Sequence, residues 1–285
     1  MVGSIDFLAV GHVTQDRLPD GSFTIGGTAA YATLTARALG MSAAAMTSAP
    51  ADLDLALALA GVQLHVVPSS TPTVFENIYQ GQQRLQYVRS VAVRLKASDL
   101  PAAWKRPSIV LLGPVAGELG LDWLGAFAQS CVGVVPQGWM RRWDKTGLVA
   151  PRAWEEASRI LPRVDVVVFS EDDVRQDEGT IHHYASLARI AVVTRGRRGA
   201  TVFYRGVERQ FPAFSAREVD PTGAGDVFAA AFLVRLRETS DPFEAASYAN
   251  CTASFCIEGT GTTTIPTRQQ VEERLRHGRH YDSEI

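Results

Sequence analysis

Asp220-Pro221-Thr222-Gly223-Ala224-Gly225-Asp226 leads without a break into Val227-Phe228-Ala229-Ala230-Ala231-Phe232-Leu233, and this run constrains the chain more than any other. Pro221 stops a preceding regular element, Gly223 and Gly225 permit backbone angles closed to other residues, and the alanine-rich segment is a strong helix former. A loop therefore opens into a helix. The unpaired N–H groups of the first turn, with the positive end of the helix dipole, make a site for a phosphate or an oxyanion. Asp226 stands beside that site. A purely structural carboxylate there would repel a bound phosphate, whereas a carboxylate near an attacking hydroxyl is placed to take its proton. Capping and the dipole supply the alternative reason for an acid in a first helical turn.

Elsewhere short apolar runs alternate with helical patterns. Residues 5–10, 108–112, 132–135, 164–169 and 190–194 read as buried strands. Helices are predicted after Gly26-Gly27, around 119–129, and near 242–257 and 267–276. The alternation predicts a three-layer αβα fold with a mainly parallel, doubly wound sheet and ligands at the carboxyl ends of its strands. Two stretches break the rhythm: residues 16–25 carry turn residues, and 73–79 and 84–88 flank Gln80-Gly81-Gln82-Gln83 as a β-hairpin. They predict a small β flap, contributed by about 12–25 and 73–92. No linker, charge block or repeat divides residues 1–285, so a single domain is predicted, with polar C-terminal residues that fray.

Of the 285 residues, 46% are hydrophobic and 20% charged, as in ordinary soluble globular proteins. The net charge of −2 supplies no field for a nucleic-acid backbone. Arg141-Arg142, Arg195 and Arg197-Arg198 are clusters too small to change that, and are expected to meet a small anion or solvent. Cys131, Cys251 and Cys256 lack metal-ligand spacing, so neither a disulfide framework nor a zinc site is indicated and a reducing cytoplasm is predicted. No run is long enough to span a bilayer. His182-His183 has no partner at metal spacing, and Trp123, Phe127, Phe228 and Phe232 have the spacing of core residues. A P-loop, a complete Gly-x-Gly-x-x-Gly, His-Glu-x-x-His and Gly-x-Ser-x-Gly are all missing. Three segments remain: Gly26-Gly27 at a helix start, Thr194-Arg195-Gly196-Arg197-Arg198-Gly199 after a buried strand, and Asp220 to Asp226.

Together these segments resemble the ribokinase, or PfkB, family of carbohydrate kinases, along essentially the whole chain. Asp220 to Asp226 matches that family's C-terminal signature without a substitution. Gly26-Gly27-Thr28-Ala29-Ala30 is similar to the upstream signature, with Tyr31 where Asn is common, and Thr194-x-Gly196-x-x-Gly199 matches the nucleotide-site loop. The resemblance implies Asp226 as base and the amides of Gly223, Ala224 and Gly225 as anion hole. It implies Asp16, in Gly11-His12-Val13-Thr14-Gln15-Asp16, as the acid that holds substrate hydroxyls beside Gly26, Gly27 and Thr28; a carboxylate accepting two hydroxyls suits a vicinal diol. It assigns Thr194, Gly196, Gly199, Thr222 and Asn250 to the nucleotide, with Ser254 nearby.

The family's Asn-x-x-Glu element is replaced here by Ser170-Glu171-Asp172-Asp173, so Asp173 is assigned to Mg²⁺ through water, and Glu171 and Asp172 read equally well as a surface acidic turn. Local matches to the myo-inositol kinase branch lie at Arg89 to Ala92, Ser98 to Pro101, Gly113 to Glu118 and Pro136 to Arg141. They turn Gln137 and Arg141 toward acceptor or phosphate; Glu118 reads also as a helix N-terminal acid. The implied activity is ATP-dependent phosphorylation of a small sugar, polyol or cyclitol, with a myo-inositol-like acceptor favoured. The implied cofactors are ATP and Mg²⁺, with a monovalent cation left open, and the implied state is a cytoplasmic monomer or homodimer without nucleic-acid or membrane partners. A nucleoside or furanose kinase of the same fold stays open, as does a non-catalytic ligand-binding protein suggested by Tyr31 and the Ser170 to Asp173 departure.

Overall fold

Short aliphatic runs, buried on both faces except at the edges, assemble a nine-stranded sheet. The computed structural model, which describes residues 4–80 and 83–281, places in it β1 (Phe7–Val10), β4 (Ala43–Ala49), β5 (Gln63–Pro68), β8 (Ile109–Leu112), β9 (Cys131–Val134), β12 (Val166–Ser170), β13 (Ile190–Thr194), β14 (Ala200–Tyr204) and β15 (Val207–Phe211). The order is β15-β14-β13-β12-β9-β8-β1-β4-β5. Strands β13 through β5 run parallel, and β14 and β15 extend the sheet antiparallel. A separate sheet of order β3-β2-β6-β7 combines β2 (Thr14–Arg17), β3 (Phe23–Gly26), β6 (Thr73–Gln80) and β7 (Gln83–Ser90). A small ribbon pairs β10 (Arg141–Trp143) with β11 (Val149–Pro151).

Alternation across the pleat feeds two cores. Phe7, Ala9, Ile109, Leu111, Val166 and Val168 join residues of α1 (Thr28–Ala38), α5 (Ala224–Thr239), α6 (Pro242–Cys256) and α7 (Arg268–His277). Leu8, Val10, Val110, Leu112, Val167 and Phe169 join α3 (Ala157–Ile160), α4 (Glu178–Leu187) and four tryptophans, Trp104, Trp123, Trp139 and Trp154. The short α2 (Leu55–Ala58) links β4 to β5. The expected mainly parallel αβα sheet is therefore present, and both late helices fall where the sequence places them. The helix expected around 119–129 is not there. Gly120 and Gly125, the latter at φ 90°, limit that stretch to a 3-10 turn over Leu121–Trp123 followed by further turns. Trp123 and Phe127 still stack in the core with ring centroids 6.0 Å apart. The expected turn at Gly81-Gln82 and the expected fraying at 282–285 lie outside the described residues. No described helix is long and apolar enough to cross a membrane.

Helix α5 is buried along its apolar run: Val227 through Val234 are all inaccessible to solvent or nearly so. It packs so closely on the sheet that a Cβ at Gly133 of β9 would stand 2.6 Å from Leu233 Cδ1. That contact fixes where the N-terminus of α5 emerges at the edge of the sheet.

A second fixed point joins the sheet to the flap. Glu118 is not at a helix N-terminus; it is fully buried in the turn after β8. Its carboxylate accepts the N–H groups of His12 at 2.8 Å, Ala116 at 2.8 Å and Val115 at 3.0 Å. His12 in turn donates from Nε2 to the Val93 carbonyl at 2.9 Å, which leaves Nδ1 to accept the Thr73 hydroxyl at 2.7 Å. The chain from β1 into β2 is thus held against β6. Glu118→Ala would orphan three buried N–H groups, and should lower the unfolding free energy by about 3 kcal/mol, measured by urea denaturation; Glu118→Gln should recover part of the loss.

Candidate active site

A cleft of about 620 Å³ runs along the carboxyl ends of the strands, from Asp16 and Phe75 at one end to Phe214 and Tyr281 at the other. The N-terminus of α5 enters its middle. Asp220 Oδ1 accepts the Thr222 N–H at 3.0 Å, and the Pro221 carbonyl accepts the Ala224 N–H at 3.2 Å, so the loop is a pair of turns. Gly223 caps the helix at φ 83°. A Cβ there would stand 2.3 Å from the Tyr31 ring, whereas one at Gly225 would meet nothing within 4 Å. The Gly225 N–H belongs to the first helical turn, which has no intrahelical carbonyl for it, and Gly223, Ala224 and Gly225 all line the cleft.

Asp226 follows in the same turn. Burial pushes its carboxyl up to about 6; a hydrogen bond from the Thr28 hydroxyl and the Arg141 guanidinium oppose the rise, and Asp173 and Asp16 add to it. Thr28 itself is buried behind the carboxylate. Burial also raises Asp173, against Arg141 and hydrogen bonds from Ser170 and Gln137. The Ser170 N–H reaches Asp173 Oδ2 at 3.0 Å and the Gln137 amide reaches Oδ1 at 3.5 Å. Gly26 leaves room for Asp16: a Cβ at Gly26 would fall 2.4 Å from Asp16 Oδ2. Gly27, at φ 86°, starts α1 where a side chain would strike the His12 carbonyl. Asp16 accepts the Thr14 hydroxyl at 3.0 Å. One cleft therefore holds two carboxylates raised by burial, an arginine that faces both, and a helix N-terminus.

Residues 139–268 match the pfkB family of carbohydrate kinases. Over that stretch the chain is similar to that family. It is 35% identical over 136 residues to a 2-dehydro-3-deoxygalactonokinase of Haloferax volcanii, over 44% of this chain and 42% of that protein. It is 29% identical over 209 residues to an inositol 3-kinase of Arabidopsis thaliana, over 69% of this chain and 58% of that protein. The chain thus spans about half the length of these two relatives. In fold it is similar to a pyrophosphate-dependent kinase of the ribokinase family, solved with a pyrophosphate analogue and myo-inositol, at a TM-score of 0.79 and 23% identity over 94% of this chain and 99% of that one.

Thr194, Gly196, Gly199, Thr222 and Asn250 also line the cleft. Gly199, at φ 89°, is pressed against the Phe211 carbonyl, 2.0 Å from where its Cβ would be. Asn250 donates its amide to the carbonyls of Phe211 at 3.1 Å and Pro212 at 3.3 Å, so it braces this wall as well as lining it. Among the arginines of the Thr194 to Gly199 loop, Arg195 departs from the expectation of an anion or solvent, while Arg197 and Arg198 are largely exposed to solvent. Arg195 is buried and forks onto Glu171 at 2.9 Å and Glu178 at 2.6 Å, Arg198 reaches Glu171, and Arg197 meets Glu218 at 3.3 Å. They meet glutamates of their own chain, and Glu171 is buried in that network instead of lying in a surface turn.

Gln137 and Arg141 both line the cleft, after β9 and at the start of β10. Three flap residues that the sequence reading did not assign to the site, Phe75, Asn77 and Gln86, complete the walls, with Tyr31, read only as a departure from the signature, below the loop. Period-two alternation in β6 and β7 was the signal for the first three. Gly223→Ala, strained at φ 83° and crowded by Tyr31, should lower stability by about 2 kcal/mol, while Gly225→Ala should be neutral or slightly stabilising; urea midpoints of the two variants check the contrast.

Proposed function

We propose that the protein transfers the γ-phosphoryl group of ATP to a hydroxyl of a sugar or cyclitol, with Asp226 as the base. The observation that carries this reading is a half-buried carboxylate that desolvation raises to about 6, in the first turn of the helix whose N-terminus enters the cleft. A base poised near neutral pH combines the ionised form with appreciable proton affinity. The acceptor binds between Asp16 and the flap, and the donor lies along the Thr194 to Gly199 loop. The acceptor oxygen forms a bond to the γ-phosphorus as the bond from that phosphorus to the β,γ-bridging oxygen breaks. ADP leaves with that electron pair, and the hydroxyl proton passes to Asp226. Gly223 and Gly225 N–H groups and Arg141 offset the charge on the phosphoryl oxygens.

Among the described residues, no three metal-ligating side chains converge. Asp173 is the carboxylate that would help hold a Mg²⁺, and the ion would neutralise phosphate charge. The acidic cleft suits that ion, since Asp173 and Asp226 both line it and both feel the charge of Arg141.

The inner face of the flap supports a ring polyol over a nucleoside. Alternation puts Thr14, Asp16, Phe75, Asn77 and Gln86 toward the cleft. Arg17, Glu76 and Arg89 pair on the other face, with Glu76 2.5 Å from Arg89. Asn77 and Gln86 stand opposite each other, with the Gln86 amide donating to Asn77 Oδ1 at 3.1 Å. A hydroxylated ring would meet the carboxylate along one edge, the two amides along another, and the apolar Phe75 beneath its C–H face.

Coupled ADP release with Mg·ATP, tested against myo-inositol, other cyclitols, ribose, fructose and cytidine, checks the reading. Asp226→Asn should lower kcat by about 10³-fold with ATP affinity nearly unchanged. An active Asp226→Asn variant contradicts the base, and a preference for cytidine contradicts the acceptor class. Replacing Asn77 and Gln86 together by Leu should lower kcat/KM for the preferred polyol by about 10-fold or more, with little change in the KM for ATP, in the same assay.

A further inference from the structure

Tyr31 lies in the first turns of α1, 1% exposed, and yet forms part of the cleft wall. Its ring underlies the anion-binding loop: the nearest atoms to a Cβ at Gly223 would be Tyr31 Cε1 and Cζ, each at 2.3 Å. The phenol faces Asp16, Asp226 and Asp220, with the Cys256 thiol also close. Burial raises this phenol above the ordinary range, and the neighbouring thiol and carboxylates add to the shift, so the group keeps its proton and serves as a donor. Phenylalanine would fill the same space beneath Gly223. The hydroxyl is costly to bury unless it is hydrogen-bonded, and its position beside Gly223 is where an incoming anion arrives.

We propose that Tyr31 is a further catalytic residue: its O–H donates a hydrogen bond to a non-bridging oxygen of the phosphoryl group in transfer, beside the Gly223 N–H. This rests on the kinase reading above. The electrostatic case is that a phosphoryl group entering the cleft is repelled by the three carboxylates that line it near Arg141 and the α5 loop, Asp16, Asp173 and Asp226. Backbone amides and Arg141 offset that repulsion in part, and a neutral donor adds to them without a counter-charge. The ring contributes separately, by holding Gly223 in its left-handed conformation.

Tyr31→Phe separates the two contributions, because it keeps the ring and removes only the donor. Steady-state kinetics with the preferred acceptor should show kcat lower by about 10- to 100-fold, the factor carried by a hydrogen bond to a charged group. The KM values for acceptor and ATP should stay within about 2-fold of wild type, and the melting temperature should be close to wild type. Tyr31→Ala should lose more activity and also stability, since Gly223 then loses its support. Wild-type kcat in Tyr31→Phe overturns the proposal and leaves a packing residue. A raised acceptor KM with unchanged kcat also overturns it, in favour of ground-state acceptor binding. Wild-type protein that turns over no acceptor overturns the kinase reading, and this inference with it.

Discussion

The burial of α5 is the constraint on which the rest of the site depends. A helix whose residues Val227 through Val234 are all buried has no solvent face along that run. It is seated between the sheet and α6, and Gly133 admits Leu233 into the sheet surface. Its N-terminus therefore opens at the carboxyl ends of the parallel strands, with Asp226 in its first turn. Hydrophobic burial thus sets the position of a polar site, and it also removes the water that would hold the Asp226 carboxyl at its ordinary value.

Charge placement follows from that position. Asp16, Asp173 and Asp226 gather in one cleft of a chain with net charge −2, an arrangement that by itself would reject phosphate. Arg141 faces two of these carboxylates. Arg195, Arg197 and Arg198 are held by Glu171, Glu178 and Glu218. The buried Arg195 shapes the loop of Gly196 and Gly199, while Arg197 lines the cleft with its side chain largely exposed. At the α5 end of the cleft, backbone N–H groups and Arg141 are the donors beside Asp226, as expected of a helix N-terminus.

What the sequence disclosed was local. Gly223, at a positive φ before an apolar helix, and Asp226 in the next turn are legible because their conformations and spacing are set by neighbours in the chain. The centre of the sheet, β1, β8, β9, β12 and β13, was legible for the same reason, as short apolar runs alternating with helices, whereas β4, β5, β14 and β15 were not read, and β15 is largely exposed. Contacts between distant segments were not legible. Nothing adjacent to Arg195 announces Glu178, and nothing adjacent to Glu118 announces the His12 N–H it accepts, since each partner is brought in by the fold. The absent helix at 119–129 has a local cause, Gly120 and Gly125, that the apolar spacing of Trp123 and Phe127 outweighed in the reading. Tyr31 was visible only as a departure from a motif; its contact with Gly223 needed coordinates.

The pH dependence of kcat/KM for the acceptor, at saturating Mg·ATP, tests the central claim most directly. Asp226 accepts a proton only when ionised, and its carboxyl lies near 6 instead of at the ordinary 3.8. The rate should rise with pH through about 6 and level off above it, because the protonated form below that value has no base to offer. A profile that is flat through pH 6, or an acidic limb that survives unchanged in an active Asp226→Asn enzyme, would contradict the account.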